Sequence, residues 1–600
     1  MKITKFFSEK QKIAAIVSLI AALLLGFYLS SGIILFQNPV DDPIPLNVFI
    51  IGFVLYVLFL GLLFFFNSFE RNRIKFFLPL AVALGVIFAI NIITTSIFKN
   101  TTEFTLISID SQEYHGTYFV TNSEKFKYIL QFFVMCMNVY LGLVVIPQMI
   151  KRQKTLKTFI YIYIGFVVLL TLISYITEYQ KYYNFFFNFT PQSVDGSTIS
   201  PLGLYKNTFG FLLTLQVFSF IYLHNDNRKW YFILMMFVAL FNILIILCKL
   251  GLIISSLAIA IYLIYLLVDT WKNNPKRNMI IAIATGGTIV LVGGAVLILA
   301  LTKNPVITVI FNKVSKLFET KENTFFTRTL IWKNCFTIVS THNAYLFGCG
   351  YGVTGGLLYE YNTIDLSVYY NHTTHAHNVW IEYYSYGGIF LVVFSTLLTA
   401  FLIYAIVKVW KKNRKIAFFS ALLILCSLIY GGFENYPIFF ARSFESTLLG
   451  YMIIIPLMIE YYALDNEKIV EEKDNVDIFN SILACLAPIM GSLLTVSVAH
   501  MILHKTNLWL IAIAVLAVLV LLGSAILYAI MNKTTIKEFI KKRGLLYLIL
   551  FVSGILLSII FVFVFIGCDF LTFFVSLAFI ALALTIALSI NKTKELIFVK

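Results

Sequence analysis

Long apolar runs recur along the whole chain, and they constrain its fold more than any other feature. Many of them exceed the roughly 18 residues that an α-helix needs to cross a bilayer, whereas a transmembrane β-strand needs only about 10. Backbone groups in hydrocarbon must find partners inside the protein, and a helix provides them within a single segment. Hydrophobic residues make up 60% of the chain and charged residues 12%. The sequence therefore predicts an all-α, polytopic membrane protein rather than a soluble enzyme.

About twelve of these runs form the predicted membrane core, residues 1–464. The expected core spans are 13–36, 47–67, 76–98, 127–148, 158–177, 207–223, 230–248, 250–269, 278–301, 378–408, 416–432 and 446–464. A charged segment, residues 465–477, follows the core and is predicted to be a cytoplasmic linker. About four further runs then form a C-terminal membrane extension, residues 478–600, to which no role is assigned; they are 478–500, 507–531, 545–567 and 569–590.

The stretch 230–269 is too long to be one span. As a single helix it would extend about 60 Å, twice the thickness of the hydrocarbon core. Its only polar and glycine-bearing point is Cys248-Lys249-Leu250-Gly251, so we predict a tight hairpin there on the outer face. Lys249 then lies at the outer membrane edge, either as a ligand for an anion or as a snorkelling residue that anchors a helix end.

The net charge of +16 is spread over the chain. Lysines and arginines form no single patch of the kind that binds nucleic acid, and no nucleic-acid partner is expected. They recur instead in short clusters at alternate connections between spans: Lys2–Lys12, Arg71–Lys75, Lys151–Lys157, Arg228–Lys229, Lys272–Arg277 and Lys411–Lys415. This is the distribution of the positive-inside rule. It predicts a multi-pass protein of the cytoplasmic membrane with both termini in the cytoplasm.

Three outer segments are long enough to build a site: 99–126, 178–206 and 302–377. In the largest, the apolar residues of 330–339 recur at helical spacing and predict an amphipathic helix at the membrane surface. A glycine-rich turn at 348–356 follows. Without side chains at these positions, backbone amides are able to approach a ligand closely, although a plain loop has the same composition.

The end of that outer segment carries the densest titratable cluster of the chain. It reads His372-Thr-Thr-His375-Ala-His377-Asn378-Val-Trp-Ile-Glu382, and a membrane helix is predicted to begin at Asn378. Four of the eight histidines lie between His342 and His377. Histidine is the side chain best suited to accept a proton near neutral pH. The cluster therefore predicts an active site at the outer membrane edge.

Several motifs of this region resemble the O-antigen ligase and polymerase superfamily. They are Arg328-Thr-Leu-Ile-Trp332, Leu346-Phe-Gly348-Cys-Gly350-Tyr-Gly352, His377-Asn378-Val-Trp-Ile-Glu382 and Gly387-Gly388, with the weaker match Tyr205-Lys206-Asn207-Thr-Phe-Gly210. The order and spacing of these motifs match the superfamily as well as their residue types do. In topology the resemblance covers roughly residues 10–464. One departure is that the family's serine-arginine pair at the outer hairpin is replaced here by Cys248-Lys249.

The resemblance implies a GT-C-like membrane fold with a large extracytoplasmic catalytic loop, residues 302–377. It also implies glycosyl transfer from an undecaprenyl-pyrophosphate-linked oligosaccharide to a saccharide hydroxyl, without a metal or other cofactor. The implied catalytic residues are His377, as the base, and Glu382. The implied ligands of the substrate and its pyrophosphate are Arg328, Lys249, Lys206, Gly350 and Asn378.

Simpler interpretations remain for most of these residues. His372, His375 and His377 have the spacing of a metal site, although no regular cysteine or carboxylate partners accompany them, and His372 and His375 are also interpretable as solvated loop residues. Glu382 fits an ionised group paired near a helix end. Arg442, Lys206 and Glu434 are also predicted to face outward, where they are able to touch a polyanionic substrate, but for each we favour a structural role.

The seven cysteines are scattered and odd in number, which argues against a disulfide framework. Cys335 and Cys349 share one outer segment and are able to pair there. Most of the others lie inside apolar runs, where packing accounts for them.

Three functions fit the predicted architecture. A polymerase joins lipid-linked repeat units, a ligase passes a finished polymer to a terminal acceptor, and a flippase moves the lipid-linked unit across the membrane. The composition is rich in phenylalanine, isoleucine and lysine, which favours an AT-rich bacterial genome such as that of a Gram-positive bacterium. Because such a bacterium lacks lipid A as a terminal acceptor, a capsule or exopolysaccharide polymerase is favoured over a ligase. Membrane lipids and chain-length regulator or flippase proteins are the expected partners. A flippase should carry ionisable groups deep within its spans, whereas here they gather at the outer edge.

Overall fold

A computed structural model describes residues 46–66, 71–98, 101–107, 113–149, 153–183, 206–246, 248–271, 324–361 and 375–464, with isolated positions between 15 and 30. The helices of these ranges are α1 (Leu46–Phe66), α2 (Arg71–Ile97), α3 (Asn122–Tyr140), α4 (Ile146–Met149), α5 (Gln153–Thr177), α6 (Tyr179–Tyr183), α7 (Lys206–Asn227), α8 (Tyr231–Ile246), α9 (Lys249–Trp271), α10 (Thr324–Thr341), α11 (Val353–Tyr361), α12 (Val379–Trp410), α13 (Arg414–Gly431) and α14 (Phe444–Tyr462). A π-helical turn, Leu141–Val145, joins α3 to α4.

The helical membrane class is confirmed. Among the described residues, seven helices are long and apolar enough to cross a membrane, and Phe49–Phe64 and Tyr231–Ile246 are shorter apolar helices. Ten predicted spans fall on described helices and agree with their bounds to within about five residues at each end, when α3, the π-helical turn and α4 are taken together as Asn122–Met149. The spans 13–36 and 278–301, the linker 465–477 and the extension 478–600 lie outside the described residues, so the total number of spans stays a prediction.

The segment 99–126, predicted to lie outside the spans, adds a short non-helical element to the predicted all-α fold. It contains an antiparallel pair of strands, β1 (Thr101–Ile107) and β2 (Glu113–Phe119), which pair from Thr101 opposite Phe119 to Ile107 opposite Glu113. The argument against strands holds only in hydrocarbon, where an open sheet edge has no partner. Outside the membrane water satisfies that edge, and the β-branched and aromatic residues of the segment favour strands.

The predicted break inside 230–269 is confirmed, since α8 ends at Ile246 and α9 begins at Lys249; the placement of this hairpin on the outer face stays a prediction. The hairpin packs against α7, the central helix, in which every residue from Phe209 to Asn225 is buried. A Cβ on Gly210 would lie 2.4 Å from the Cβ of Cys248. Glycine at this position therefore lets the hairpin lie directly on α7.

A break in α12 decides where the N-terminal end of this helix lies. At about 1.5 Å per residue, the 32 residues of α12 would extend about 48 Å, far beyond the 18-residue α13 beside it. Gly388 has φ 62° and ψ −164°, which interrupts the helix. The length of the 22-residue part from Ile389 onward matches the thickness of a bilayer. The segment before Gly388 takes another direction, and Asn378 Nδ2 lies 3.0 Å from the Gly432 carbonyl.

The glycine-rich turn fills that break. The amides of Cys349 and Gly350 donate to the carbonyls of Ser385 and Tyr386 at 2.8 and 3.1 Å, and the amide of Ile389 donates to the Tyr345 carbonyl at 2.9 Å. Backbone groups freed by the interrupted helix are thus satisfied by the turn. The two motifs, distant in sequence, form one structural unit.

Replacing Gly348 by alanine is expected to destabilise this unit. Gly348 has φ 68°, and a Cβ there would lie 2.4 Å from the amide nitrogen of Gly387. Left-handed strain alone costs about 1–3 kcal/mol, and the clash is with backbone that cannot rotate away. We expect a lower thermal midpoint for the detergent-purified protein. Gly61→Ala is the control, since a Cβ there meets nothing within 4 Å; equal midpoints for the two variants would contradict the prediction.

Candidate functional site

Three separate elements bring ionisable residues together at one end of the bundle. Arg328 comes from α10, His377 precedes α12, and Glu434 lies in the connection between α13 and α14. The opposite end of α13 carries Lys415, whose Nζ lies 3.3 Å from the Asp226 carbonyl. Because that end belongs to the predicted cytoplasmic side, the cluster lies at the predicted outer edge.

Glu434 bridges Arg328 and His377. Its Oε1 accepts from Arg328 Nη2 at 2.6 Å, and its Oε2 lies 3.0 Å from His377 Nδ1. Arg328 Nη1 also donates to the carbonyl of Phe433. Because each carboxylate oxygen of Glu434 contacts one partner, the three side chains form one connected set, the Arg328–Glu434–His377 chain. Their exposed fractions are 19% for Arg328, 16% for Glu434 and 27% for His377, so the chain borders solvent.

The electrostatics of this chain favour an ionised Glu434. Burial acts to raise the pKa of the Glu434 carboxyl, but the hydrogen bond from His377 and the positive charge of Arg328 outweigh it, so the pKa lies below its usual value. An ionised carboxylate at Nδ1 favours the tautomer that keeps the proton on that nitrogen. Nε2 is the remaining ring atom for proton transfer, and it has no hydrogen-bond partner among the described residues.

The backbone at His377 is in the left-handed region, with φ 49°. Two neighbouring side chains hold the preceding residue: the Ala376 amide donates to Glu382 Oε2 at 2.6 Å, and Trp332 Nε1 donates to the Ala376 carbonyl at 2.8 Å. Non-glycine residues rarely adopt this conformation, and it persists where the surroundings fix it. The neighbouring contacts therefore set the direction of the imidazole.

Asn378 acts as the N-cap of α12. Its Oδ1 accepts from the amides of Trp380 and Ile381 at 3.0 and 3.2 Å, and its Nδ2 donates to the Gly432 carbonyl. The side chain thus ties the helix start to the connection that carries Glu434. Its carboxamide is engaged with backbone, and its assignment as a substrate ligand stays a prediction.

Glu382 is buried, with its side chain only 8% exposed. Besides the Ala376 amide it faces Arg442, whose Nη1 lies 3.7 Å from Glu382 Oε1. On the helix Glu382 lies one turn below Asn378, as the spacing predicts, and its carboxylate reaches back to the loop. These contacts support the orientation of His377, whereas direct participation of Glu382 in catalysis stays a prediction.

The remaining predicted ligands are Gly350, Lys206 and Lys249. The Gly350 amide donates to the Tyr386 carbonyl, and a Cβ there would lie 2.6 Å from the Thr95 amide nitrogen. Close approach does require glycine, but the partner here is the protein itself. Lys206 and Lys249 begin α7 and α9, and their side chains lie outside the described structure.

Three residues belong to this site although their sequence context favours a structural or loop role. Glu434 and Arg442 contact the predicted site residues, and the rings of His375 and His377 are 4.2 Å apart. Burial, His377 and the charges of Arg442 and Arg328 all lower the pKa of the His375 imidazole. The sequence carries one positional signal for Glu434, which lies two residues after the Gly431-Gly432 pair at the end of a span predicted to run outward.

The metal interpretation finds no support in the described part of the chain, where no three histidine, cysteine, aspartate or glutamate side chains gather as ligands. His372 lies outside that part. Cys335 and Cys349 are both buried and unpaired. They pack in one apolar cluster with Ile331 and Val353, so packing accounts for them.

When the chain is compared with known proteins, no family model and no curated sequence matches it. The resemblance to the O-antigen ligase and polymerase superfamily therefore depends on the motif residues themselves.

Proposed function

We propose that the protein is a membrane glycosyltransferase that polymerises undecaprenyl-pyrophosphate-linked oligosaccharide units on the outer face of the bacterial cytoplasmic membrane. The observation that carries this proposal is the Arg328–Glu434–His377 chain, with distances of 2.6 and 3.0 Å. A histidine oriented by a carboxylate is an arrangement for proton transfer, and a guanidinium beside it suits a phosphorylated substrate.

In the proposed reaction His377 Nε2 accepts the proton of the acceptor hydroxyl. The acceptor oxygen forms a bond to the anomeric carbon of the donor sugar, and the bond from that carbon to the pyrophosphate oxygen breaks. Undecaprenyl pyrophosphate leaves with the electron pair. Glu434 orients the imidazole and stabilises the charge that it acquires, while fixed cations stabilise the leaving group. The proposal requires no metal and no other cofactor.

Cations for the leaving group are contributed by Arg328 and, in this proposal, by Lys249 and Lys206. The starts of α7 and α9 lie close together through Gly210 and Cys248. Tyr436, two residues after Glu434, stacks on Phe211 of α7 with ring centroids 4.1 Å apart. The backbone positions of both lysines therefore belong to the same end of the bundle as the histidine.

Lipid-linked sugars in a strain lacking the protein test the proposal. We expect single repeat units linked to undecaprenyl pyrophosphate to accumulate at the outer face, because a missing polymerase leaves its donor unused. Extraction of the lipids, followed by mass spectrometry and a surface-accessibility assay, measures this. Long lipid-linked chains would instead indicate a ligase, units confined to the inner face would indicate a flippase, and an unchanged lipid pool would exclude all three functions.

A further inference from the structure

The two arginines of the site differ in how many of their hydrogen-bond donors are already used. Arg328 donates from both terminal nitrogens, to Glu434 and to the Phe433 carbonyl. Arg442 lies 3.7 Å from Glu382 Oε1, which is an ion-pair distance but too long for a hydrogen bond. Among the described residues, Arg442 donates no hydrogen bond. A guanidinium carries five N–H donors. Arg328 has both of its terminal nitrogens engaged by the protein, whereas Arg442 keeps both terminal nitrogens for a two-pronged contact with a ligand.

The surroundings of Arg442 keep this capacity accessible. Its side chain is 33% exposed, whereas Glu382 beneath it is 8% exposed. Burial acts to lower the pKa of Arg442, but the electrostatic interactions of the guanidinium with Tyr351 and Glu382 outweigh burial and raise the pKa. The guanidinium therefore stays charged. Because the second oxygen of Glu382 accepts from the Ala376 amide, the carboxylate is fixed and holds Arg442 from one side only.

Arg442 also lies within reach of the histidines. Glu382 Oε1 lies 3.7 Å from Arg442 Nη1, and Glu382 Oε2 accepts at 2.6 Å from the amide of Ala376, the residue before His377. The rings of His375 and His377 are 4.2 Å apart. An anion bound to Arg442 would therefore lie close to the proposed base. A fixed cation beside the reacting sugar stabilises the negative charge that develops on the departing pyrophosphate.

We propose that Arg442 supplies the hydrogen bonds that bind the pyrophosphate of an isoprenoid-linked donor, while Arg328 contributes charge and holds Glu434 against His377. The inference rests on the proposed function and adds a binding residue to it. A planar guanidinium binds phosphate oxygens through two parallel hydrogen bonds, and an ammonium does not reproduce this fork. The residue that fixes the fork in place is Glu382.

Binding measurements on the full-length protein in detergent test the inference. Titration calorimetry with farnesyl pyrophosphate compares the wild type with Arg442→Gln and Arg442→Lys. We expect about a 10- to 100-fold weaker affinity for Arg442→Gln, as for loss of charge-assisted hydrogen bonds, and an intermediate loss for Arg442→Lys. Wild-type affinity in Arg442→Gln would overturn the inference.

A matched pair of variants separates binding from folding. Arg442→Gln leaves the buried Glu382 without its cation, and the double variant Arg442→Gln/Glu382→Gln removes both charges. We expect the double variant to recover the thermal midpoint but not the affinity. Recovery of both would mean that Arg442 only neutralises Glu382, and the inference would fail.

Inorganic pyrophosphate, titrated in parallel, distinguishes the source of the anion. Tighter binding of farnesyl pyrophosphate supports an isoprenoid-linked donor, and equal affinity would overturn that part of the inference. These results are independent of the lipid analysis. If binding depends on Arg442 but loss of the protein changes no lipid pool, the proposed function alone is refuted. If repeat units accumulate but binding does not depend on Arg442, only the present inference is refuted.

Discussion

Replacing His377 by alanine is expected to abolish polymer while the protein still folds and inserts. His377 is the imidazole that Glu434 orients at 3.0 Å, and no other described histidine contacts that carboxylate. Loss of a general base typically reduces a rate by about 10²- to 10⁴-fold. Surface polysaccharide resolved on a gel, with the membrane-inserted protein quantified by immunoblot, measures the effect. Normal polymer from His377→Ala would refute the assignment of the base.

The left-handed backbone at His377 calls for a second variant. Alanine disfavours φ 49°, so a loss of polymer in His377→Ala has a conformational explanation as well as a chemical one. Asparagine tolerates this conformation but cannot act as a base near neutral pH. We expect His377→Asn to be as inactive as His377→Ala, while His372→Ala makes nearly normal polymer. Recovery of polymer in His377→Asn would show that backbone strain caused the loss.

Arg328→Ala is expected to have the second-largest effect, about 10²- to 10³-fold on the rate, which is the usual cost of removing a group that stabilises developing negative charge. The substitution also releases Glu434, which then loses its contact at 2.6 Å. Arg328→Lys should retain part of the activity, because a single ammonium replaces charge but not the two-directional geometry. An assay of the purified protein on a lipid-linked repeat unit measures each rate.

Stability must be measured alongside these rates. Because Arg328 and Glu434 are only 19% and 16% exposed, breaking the pair is expected to cost about 1–3 kcal/mol. The variant Arg328→Gln/Glu434→Gln keeps the shape and removes both charges, so it should regain stability without regaining activity. Arg414→Ala, at the opposite end of α13, is the activity control. Full activity in Arg328→Ala would exclude a role for this guanidinium in the reaction.

The helical segments were predictable because they depend on segment length and apolar content, which are local properties. The bounds of α1, α5 and α9 follow from the extent of the apolar runs. The turn after α8 was predictable for a similar reason, since a helix of twice the bilayer thickness must reverse at its one polar, glycine-bearing point. The strands β1 and β2 were missed because that argument does not apply outside the membrane.

The candidate site was only partly predictable. Arg328 and His377 carry sequence motifs, and the structure brings them to the same carboxylate. Glu434 itself lies 57 residues from His377 in a short connection without a recognised pattern. The use of Glu382 and Asn378 for positioning also depends on which backbone groups lie nearby, and this is decided by the break at Gly388.

By itself, the sequence determined the class of protein, the helical segments and the region where the titratable residues concentrate. These follow from the cost of burying polar groups in lipid, which acts on each segment separately. Only the tertiary structure decided which side chains meet. The interrupted α12 and the turn at Gly348–Gly350 satisfy each other's backbone groups, and this contact turns the start of α12 across the bundle. That non-local pairing joins His377 to Glu434, engages both terminal nitrogens of Arg328 with the protein and leaves those of Arg442 for a ligand.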